Sequence, residues 1–549
     1  MPDVLPNPLY YLENFQRVVS WISDHHDDLL TSSERGFLAA FGRMPQASRA
    51  LLVRMVMRKG EVFRTGKLHY DEIGCPLAAA GPLVEQGWVD DRPVLACEVL
   101  GRLMTKPELQ RHLASYLPAG SLSKADMLAR LGQASLSPQR FDEWCPGSTD
   151  SVLRLSIKDL CERLRLMFFG NARQDWSEFV LADLGIYRYE IVDISPASRA
   201  FGCRQDVDDY LHLHQCRERL EAGEPAQSVL DDIPAHPHAN PWLEARRGKL
   251  LLALGLQLER DGALPQALRV HGRNAYAGAR VRCIRVLEKL GQPEAALELA
   301  CAAQAQPESE CEAQQVGRAL ARLRRTLGQV VSVRRKAAVY ERLDLTLPAS
   351  NHLISVERRV QDHLTSPQAP VYYVENTLLN ALFGLLCWDA IYAPLPGAFF
   401  HPFHAAPADL RQPDFRSRRA DLFAACLARL DSGAYVDVIR ERYQAKKGIQ
   451  TRFVAWSVLE ETLLEQALAC LPAAHLKAIF ERMLDDLADN CTGLPDLIQL
   501  LPQDGTYRMI EVKGPGDRLQ DNQKRWLEFF VSHGMPVTVC YVQWSQALS

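Results

Sequence analysis

The chain has 549 residues, room for three or four domains at roughly 150 residues each. Its 47% hydrophobic and 24% charged residues exclude a disordered or low-complexity chain. A net charge of −4, from 63 Lys and Arg against 67 Asp and Glu, excludes a globally basic nucleic-acid binder. Any surface for a polyanion must therefore be local.

Fourteen cysteines are scattered with no Cys-x-x-Cys pair, which predicts reduced thiols rather than zinc sites or disulfides. No apolar run approaches the roughly 20 residues of a membrane span. The start, MPDVLPNPLYYLENF, lacks the basic segment and apolar core of a signal peptide. These features predict a soluble cytoplasmic protein without a membrane partner.

The first 350 residues read mostly as helix. Phe37 to Met57 is apolar at helical spacing and runs into Arg54, Arg58, Lys59, Arg64 and Lys67, a net +4 over residues 54–67. Such a cluster is either a solvated helix end or a surface for DNA phosphates, with Arg54, Arg58, Lys59 and Lys67 as its candidates. Thr105-Lys106-Pro107-Glu108 then makes a capping box with proline in the first turn. Pro118, Ala119 and Gly120 break that helix, and Ser123 opens a second one through Leu131. This helical hairpin resembles a SAP module, a small DNA-binding unit, although any two capped helices share the pattern.

Between 205 and 345, glycines 223, 262, 291 and 328 fall 39, 29 and 37 residues apart, and GALPQAL is nearly repeated as GQPEAAL. The spacing is close to the tetratricopeptide period and predicts stacked helix pairs. Past Pro367 and Pro370 come a long helix, an arginine-rich stretch including Arg418, Arg419 and Arg452, and a β-rich ending. Those three arginines are either solvated or track a DNA backbone.

The chemistry concentrates in LPDLIQLLPQDGTYRMIEVK, residues 494–513. Two apolar runs flank Pro502-Gln503-Asp504-Gly505, a hairpin connection. Pairing Leu501 with Thr506 sets Asp496 opposite Glu511. Glu511 and Lys513, two residues apart, share a face, while Ile510 and Val512 point into a core. Two carboxylates that close call for a cation, and oxygen ligands favour Mg²⁺ or Mn²⁺. In the following helix Gln523 is the polar member of an otherwise apolar stripe of Leu519, Trp526, Leu527 and Phe530. It either bonds backbone or orients water or phosphate beside the metal.

The pattern GLPDLIQL followed by IEVKGPGDRLQDNQKRWLEFFVSHGMPVTVCYV resembles the VRR-NUC domain of the PD-(D/E)xK nuclease superfamily. With VENTLLNALFGLLCWDAIY at 374–392 and FFGNARQDWSEFVLADLGI at 168–186, most of the chain resembles the Fanconi-anaemia-associated nuclease family in a bacterial-type form. The resemblance implies a multidomain, mostly α protein. It would comprise a helical N-terminal DNA-binding region (1–95), a SAP-like module with a following helical segment (96–200), TPR-like repeats (201–350) and an α/β VRR-NUC nuclease domain (365–549).

It further implies Asp496, Glu511 and Lys513 as catalytic set, to which the helix stripe adds Gln523 as a candidate. The implied metal site is Glu375, Asp496, Glu511 and the Val512 carbonyl. The implied activity is divalent-metal cleavage at 5′ flaps with 5′-to-3′ exonuclease action, in interstrand cross-link repair, by a nucleoid-associated monomer acting on branched DNA. Two departures stand out. The chain has no Cys/His set for the ubiquitin-binding zinc finger of animal relatives. Ala488 and Asn522 occupy neighbourhoods where those relatives carry basic residues, which leaves a 5′-phosphate pocket in doubt. Alternatives are a Holliday-junction-resolvase-like nuclease and a non-catalytic DNA-binding repeat scaffold. His236 and His238, and His401 and His404, stand in proline-containing loops without acidic neighbours and are poor metal candidates.

Overall fold

The computed structural model describes residues 7–117, 122–134, 136–195, 198–329, 339–348 and 354–545. The chain divides into two units, one of residues 1–188 with 195–207 and one of residues 189–194 with 208–549.

In the first unit, helix Tyr10–His25 buries Tyr11, Phe15, Val18 and Ile22 along one stripe. The apolar stretch from Phe37 is two helices rather than one, Ser32–Phe41 and Gln46–Val56. Pro45, with no N–H to donate and a fixed φ, separates them. A three-stranded antiparallel sheet follows in the order Val62–Arg64, Val152–Leu155, Val89–Asp90. The predicted helical hairpin is present. The Glu108 carboxylate accepts from Thr105 N–H at 2.6 Å and opens Lys106–His112. Ser123 Oγ accepts from Asp126 N–H at 3.2 Å and opens Lys124–Gln133. Leu109, Met127, Leu131 and Trp144 form their shared core. The break read at Pro118, Ala119 and Gly120 lies outside the described residues.

The second unit holds the helix pairs Pro241–Arg260 with Leu264–Gly272 and Ala279–Lys289 with Pro293–Ala305, and then α1, Glu310–Thr326. Gly223, Gly262, Gly291 and Gly328 each adopt φ between +67° and +88° just past a helix end, the left-handed closure that glycine makes without steric cost.

The nuclease sheet has five strands: β1 (Glu341–Pro348), β2 (Val371–Tyr373), β3 (Leu497–Leu501), β4 (Thr506–Lys513) and β5 (Val537–Ser545). Their order is β1-β5-β4-β3-β2, with β1 and β4 parallel to β5 and the other pairs antiparallel. The stretch read as repeats up to 350 thus ends in the parallel edge strand of this sheet. The hairpin pairs Leu501 with Thr506 and Leu497 with Ile510, the register expected from its turn. Helix α2, Val356–Leu364, sets Val360 among Ile510, Val512, Cys540 and Val542 on one face. On the other face Tyr507 and Met509 join the larger core of α3, Leu378–Leu386, which is buried along its whole length. Full burial of a Leu or Phe side chain stabilises by roughly 1.5–3 kcal/mol, so α3 anchors the sheet. Helix α4, Asp521–Ser532, adds Trp526, Leu527 and Phe530 to that core.

Candidate active site

Asp496 stands one residue before β3. Its carbonyl accepts from Val374 N–H at 2.8 Å, extending the β2–β3 pairing, and its Oδ2 accepts from Val512 N–H at 2.8 Å across the hairpin. The side chain is thereby fixed beside Glu511. Lys513 lies on the same strand face with Nζ 2.7 Å from Glu511 Oε1. Asp496, Glu511 and Lys513 are only 6%, 1% and 7% exposed.

One ammonium therefore serves two buried acids. Burial, reinforced by the charge of Asp496, pushes the Glu511 carboxyl up to about 8 against the pull of Lys513. Burial also pushes Asp496 up to about 6. The Val512 N–H and Lys513 oppose that rise, while Glu375 and Glu357 add to it.

Glu375 follows β2 at the same end of the sheet and is exposed. Tyr373 donates its hydroxyl to Glu375 Oε2 at 2.6 Å, and Asn376 Nδ2 donates to Oε1 at 3.3 Å. The hydrogen bond to Glu375, with burial, raises the Tyr373 phenol. Asn376 adopts φ +50°, a left-handed conformation that asparagine tolerates better than most residues. Its Oδ1 accepts from Leu494 N–H at 3.1 Å, and Asn380 Nδ2 donates to the Asn376 and Cys491 carbonyls at 2.7 and 2.9 Å. These bonds join the Glu375 loop to the Gly-Leu-Pro-Asp loop. Gly493, at φ +82°, passes so close to Asn522 that a Cβ there would lie 2.7 Å from its amide.

Glu357, in the first turn of α2, is an acid that sequence reasoning missed. Its charge bears on Asp496 and Tyr373. It belongs to no motif and stands far upstream of the hairpin, so only the packing of α2 on the sheet reveals it.

The remaining candidates divide. Gln523 Oε1 accepts from Gln520 N–H at 2.8 Å, so this oxygen closes the first turn of its own helix rather than reaching water or phosphate. Arg54 is half-buried, stacked 3.8 Å from the Tyr11 ring centroid and paired with Glu72 at 2.8 Å. It is a packing residue rather than a phosphate ligand. Arg58, Lys59 and Lys67 are exposed, with Arg58 donating to the Lys67 carbonyl at 3.1 Å. Arg419 is buried, its guanidinium donating to both oxygens of Asp409 at 2.8 and 3.0 Å. Arg418 bonds the same carboxylate at 2.5 Å. Arg419 is thus held inside the fold, which corrects its reading as a DNA contact, whereas Arg418 is paired with Asp409 but stays partly exposed. Arg452 is exposed and lines a cavity with Arg411, Asn380, Ala488 and Thr492, next to the Gly-Leu-Pro-Asp loop. The absence of a basic residue at 488 is thus accompanied by two arginines from other loops, of which sequence reasoning missed Arg411. His401 and His404 stack at 4.0 Å within their loop. His238 has an acidic neighbour after all, Asp209, 3.3 Å from its Nδ1.

Among the described residues, no three His, Cys, Asp or Glu side chains gather closely enough to hold a metal ion by themselves. The fit to a divalent cation rests on the buried pair. Two buried carboxylates that share one ammonium form an all-oxygen set, short of positive charge and suited to a hard ion.

A Pro-Asp and a Glu-x-Lys brought together at one end of a mixed sheet define a nuclease of the PD-(D/E)xK type. Three family models match: "FAN1, HTH domain" over residues 9–90, "Fanconi anemia-associated nuclease SAP domain" over 94–144 and "VRR-NUC domain" over 431–544. The Fanconi-associated nuclease 1 homolog of Pseudomonas aeruginosa is 53% identical, over 98% of this chain and 97% of that protein. The homolog of Oryza sativa subsp. japonica is 26% identical, over 98% of this chain and 63% of its own length. A crystal structure of paFAN1 bound to 2-nucleotide 5′-flap DNA with a gap superposes with a TM-score of 0.96 at 52% identity, covering 99% of this chain and 100% of that one. The chain belongs to the Fanconi-associated nuclease 1 family, and is a DNA nuclease. Dependence on a divalent metal comes with the VRR-NUC domain. Among the described residues no single helix is long and apolar enough to cross a membrane.

Proposed function

We propose that this nuclease cuts 5′ flaps and degrades DNA in the 5′-to-3′ direction, in repair that includes interstrand cross-links, using Mg²⁺ or Mn²⁺. The observation that carries the reading is the buried Asp496–Glu511 pair with Lys513 at 2.7 Å. The solved relative's bound 5′-flap DNA supports the substrate.

In this reading Asp496 and Glu511 hold the ion, with Glu375 joining from the rim. The Val512 carbonyl contributes because an extended strand aims it to the same side as the N–H that reaches Asp496. The bound ion supplies positive charge at the scissile phosphate and acidifies a water. Lys513 orients the attacking water and stabilises charge developing on the phosphate. Glu511, 2.7 Å from the Lys513 ammonium, holds that ammonium in place. Arg58, Lys59 and Lys67 grip backbone phosphates in the first unit, and Arg452 with Arg411 receives phosphate next to the acidic loop. The protein acts as a monomer on DNA in the cytoplasm of a bacterial-type cell.

The test uses labelled single-stranded, duplex, 5′-flap, 3′-flap and four-way DNAs with Mg²⁺ and with Mn²⁺, mapping the products. Incision near the base of 5′ flaps with 5′-to-3′ shortening is expected. Paired symmetric nicks in four-way junctions by a dimer would replace this reading with a resolvase. Inertness on all five substrates with either ion would favour the scaffold alternative.

A further inference from the structure

The last repeat helix is tied to the helix that braces the acidic loop. On α1, Arg318 donates both guanidinium nitrogens to Asp521 at the start of α4, at 2.7 and 2.6 Å. One turn earlier, Gln314 donates to the Asp521 carbonyl at 3.4 Å and accepts from Arg525 at 2.8 Å. Glu310 pairs with Arg482, whose guanidinium lies 4.8 and 4.6 Å from the ring centroids of Trp526 and Phe529. Successive turns of α1 thus engage α4 directly or through Arg482.

On its other side α4 touches the loop that ends in Asp496. Asn522, next to Asp521, is the side chain against Gly493, and Trp526 Nε1 donates to the Thr492 carbonyl at 3.1 Å. The chain of contacts is unbroken from Arg318 through Asp521 and Asn522 to Gly493, three residues before Asp496. A Cβ at Gly493 would meet the Asn522 side chain at 2.7 Å, so little room separates α4 from the loop, and a shift of α4 toward it has to displace the loop.

We infer that Arg318 is a positioning residue for the nuclease: through its paired hydrogen bonds to Asp521, the repeat array sets where α4 holds the Gly493–Asp496 loop. The inference rests on the nuclease reading of Asp496 and Glu511. Arg318 and Asp521 are half-exposed, so their pairing contributes little to global stability, and its effect falls on geometry.

The test compares the parental chain with Arg318→Ala, Asp521→Arg and the charge-exchanged double variant Arg318→Asp/Asp521→Arg. Cleavage of a labelled 5′ flap with Mn²⁺ gives kcat and KM, and amide hydrogen exchange is read over residues 491–496. Each single variant should lose about tenfold in kcat, since small misplacements of catalytic groups are costly, with KM and Tm unchanged and faster exchange in 491–496. The double variant should recover most of both losses, as expected of a direct pair. Parental kcat and parental exchange in Arg318→Ala would overturn the inference, as would a double variant no better than either single one. If the parental chain fails to cut flaps, the nuclease reading fails separately, and the exchange data still decide whether Arg318 holds the loop.

Discussion

The backbone N–H of Val512 donates to Asp496 Oδ2 at 2.8 Å, so the strand carrying Glu511 and Lys513 also fixes the acid on its neighbour. Spacing between the two carboxylates is therefore set by sheet register rather than by flexible side chains. The site behaves as one unit, and its members can be separated by what each removes.

Asp496→Ala and Glu511→Ala each delete a ligand and a negative charge, so Mn²⁺ affinity and cleavage should fall together. Lys513→Ala leaves both acids, so the ion should still bind while cleavage drops by about 10²–10⁴, the usual cost of losing a positioned proton-transfer or water-orienting group. Calorimetry with Mn²⁺ beside a flap assay checks the division. Loss of Mn²⁺ binding in Lys513→Ala, or parental cleavage by Asp496→Ala, would contradict these roles.

The raised carboxyls of Asp496, to about 6, and Glu511, to about 8, predict an unusual stability profile without metal. Between their ordinary values near 4 and these folded values, the folded state holds protons that the unfolded state has lost, so stability contributed by these groups falls as pH rises from about 4 to 8. Each pKa unit corresponds to about 1.4 kcal/mol. An ion bound by the acids should cancel the decline and release protons. The shift in Tm on adding Mn²⁺ should therefore be larger at pH 8 than at pH 5.5, measured by thermal unfolding. An equal shift at both values would remove this linkage.

Neutralising Arg58, Lys59 and Lys67 together should weaken duplex binding and reduce the slope of log affinity against log salt by up to about 3 units, roughly one for each phosphate no longer neutralised. Arg54→Ala should instead cost about 2 kcal/mol of stability, because it removes the stack on Tyr11 and leaves Glu72 half-buried without its partner. Binding titrations at several salt concentrations and chemical denaturation separate the two effects.

Arg419→Ala strips the bidentate partner from buried Asp409 but leaves Arg418 on the same carboxylate, so it should destabilise by less than the about 3–5 kcal/mol of a buried charge left alone. The salt slope of DNA binding should stay at the parental value. A changed slope with parental stability would restore Arg419 as a phosphate contact.

Features legible in the amino-acid order are those that short-range chemistry encodes. The Pro-Gln-Asp-Gly connection and period-two alternation specify the β3–β4 register, and with it the meeting of Asp496, Glu511 and Lys513. Glycines mark helix ends in the paired helices, and Thr105 with Glu108 marks a helix start, because these residues act on backbone within a few positions. Tertiary structure decided whatever depends on a distant partner. Arg54 and Arg58 look alike in sequence, yet Tyr11 and Glu72 bury one and leave the other exposed. Arg419 is buried because a loop brings Asp409 to it. Glu341–Pro348 becomes a sheet edge only by pairing with β5, nearly two hundred residues later. Glu357, Arg411 and the Arg318–Asp521 pair acquire meaning the same way, since electrostatic and packing energies depend on distance in space, which local spacing records only within one helix or hairpin.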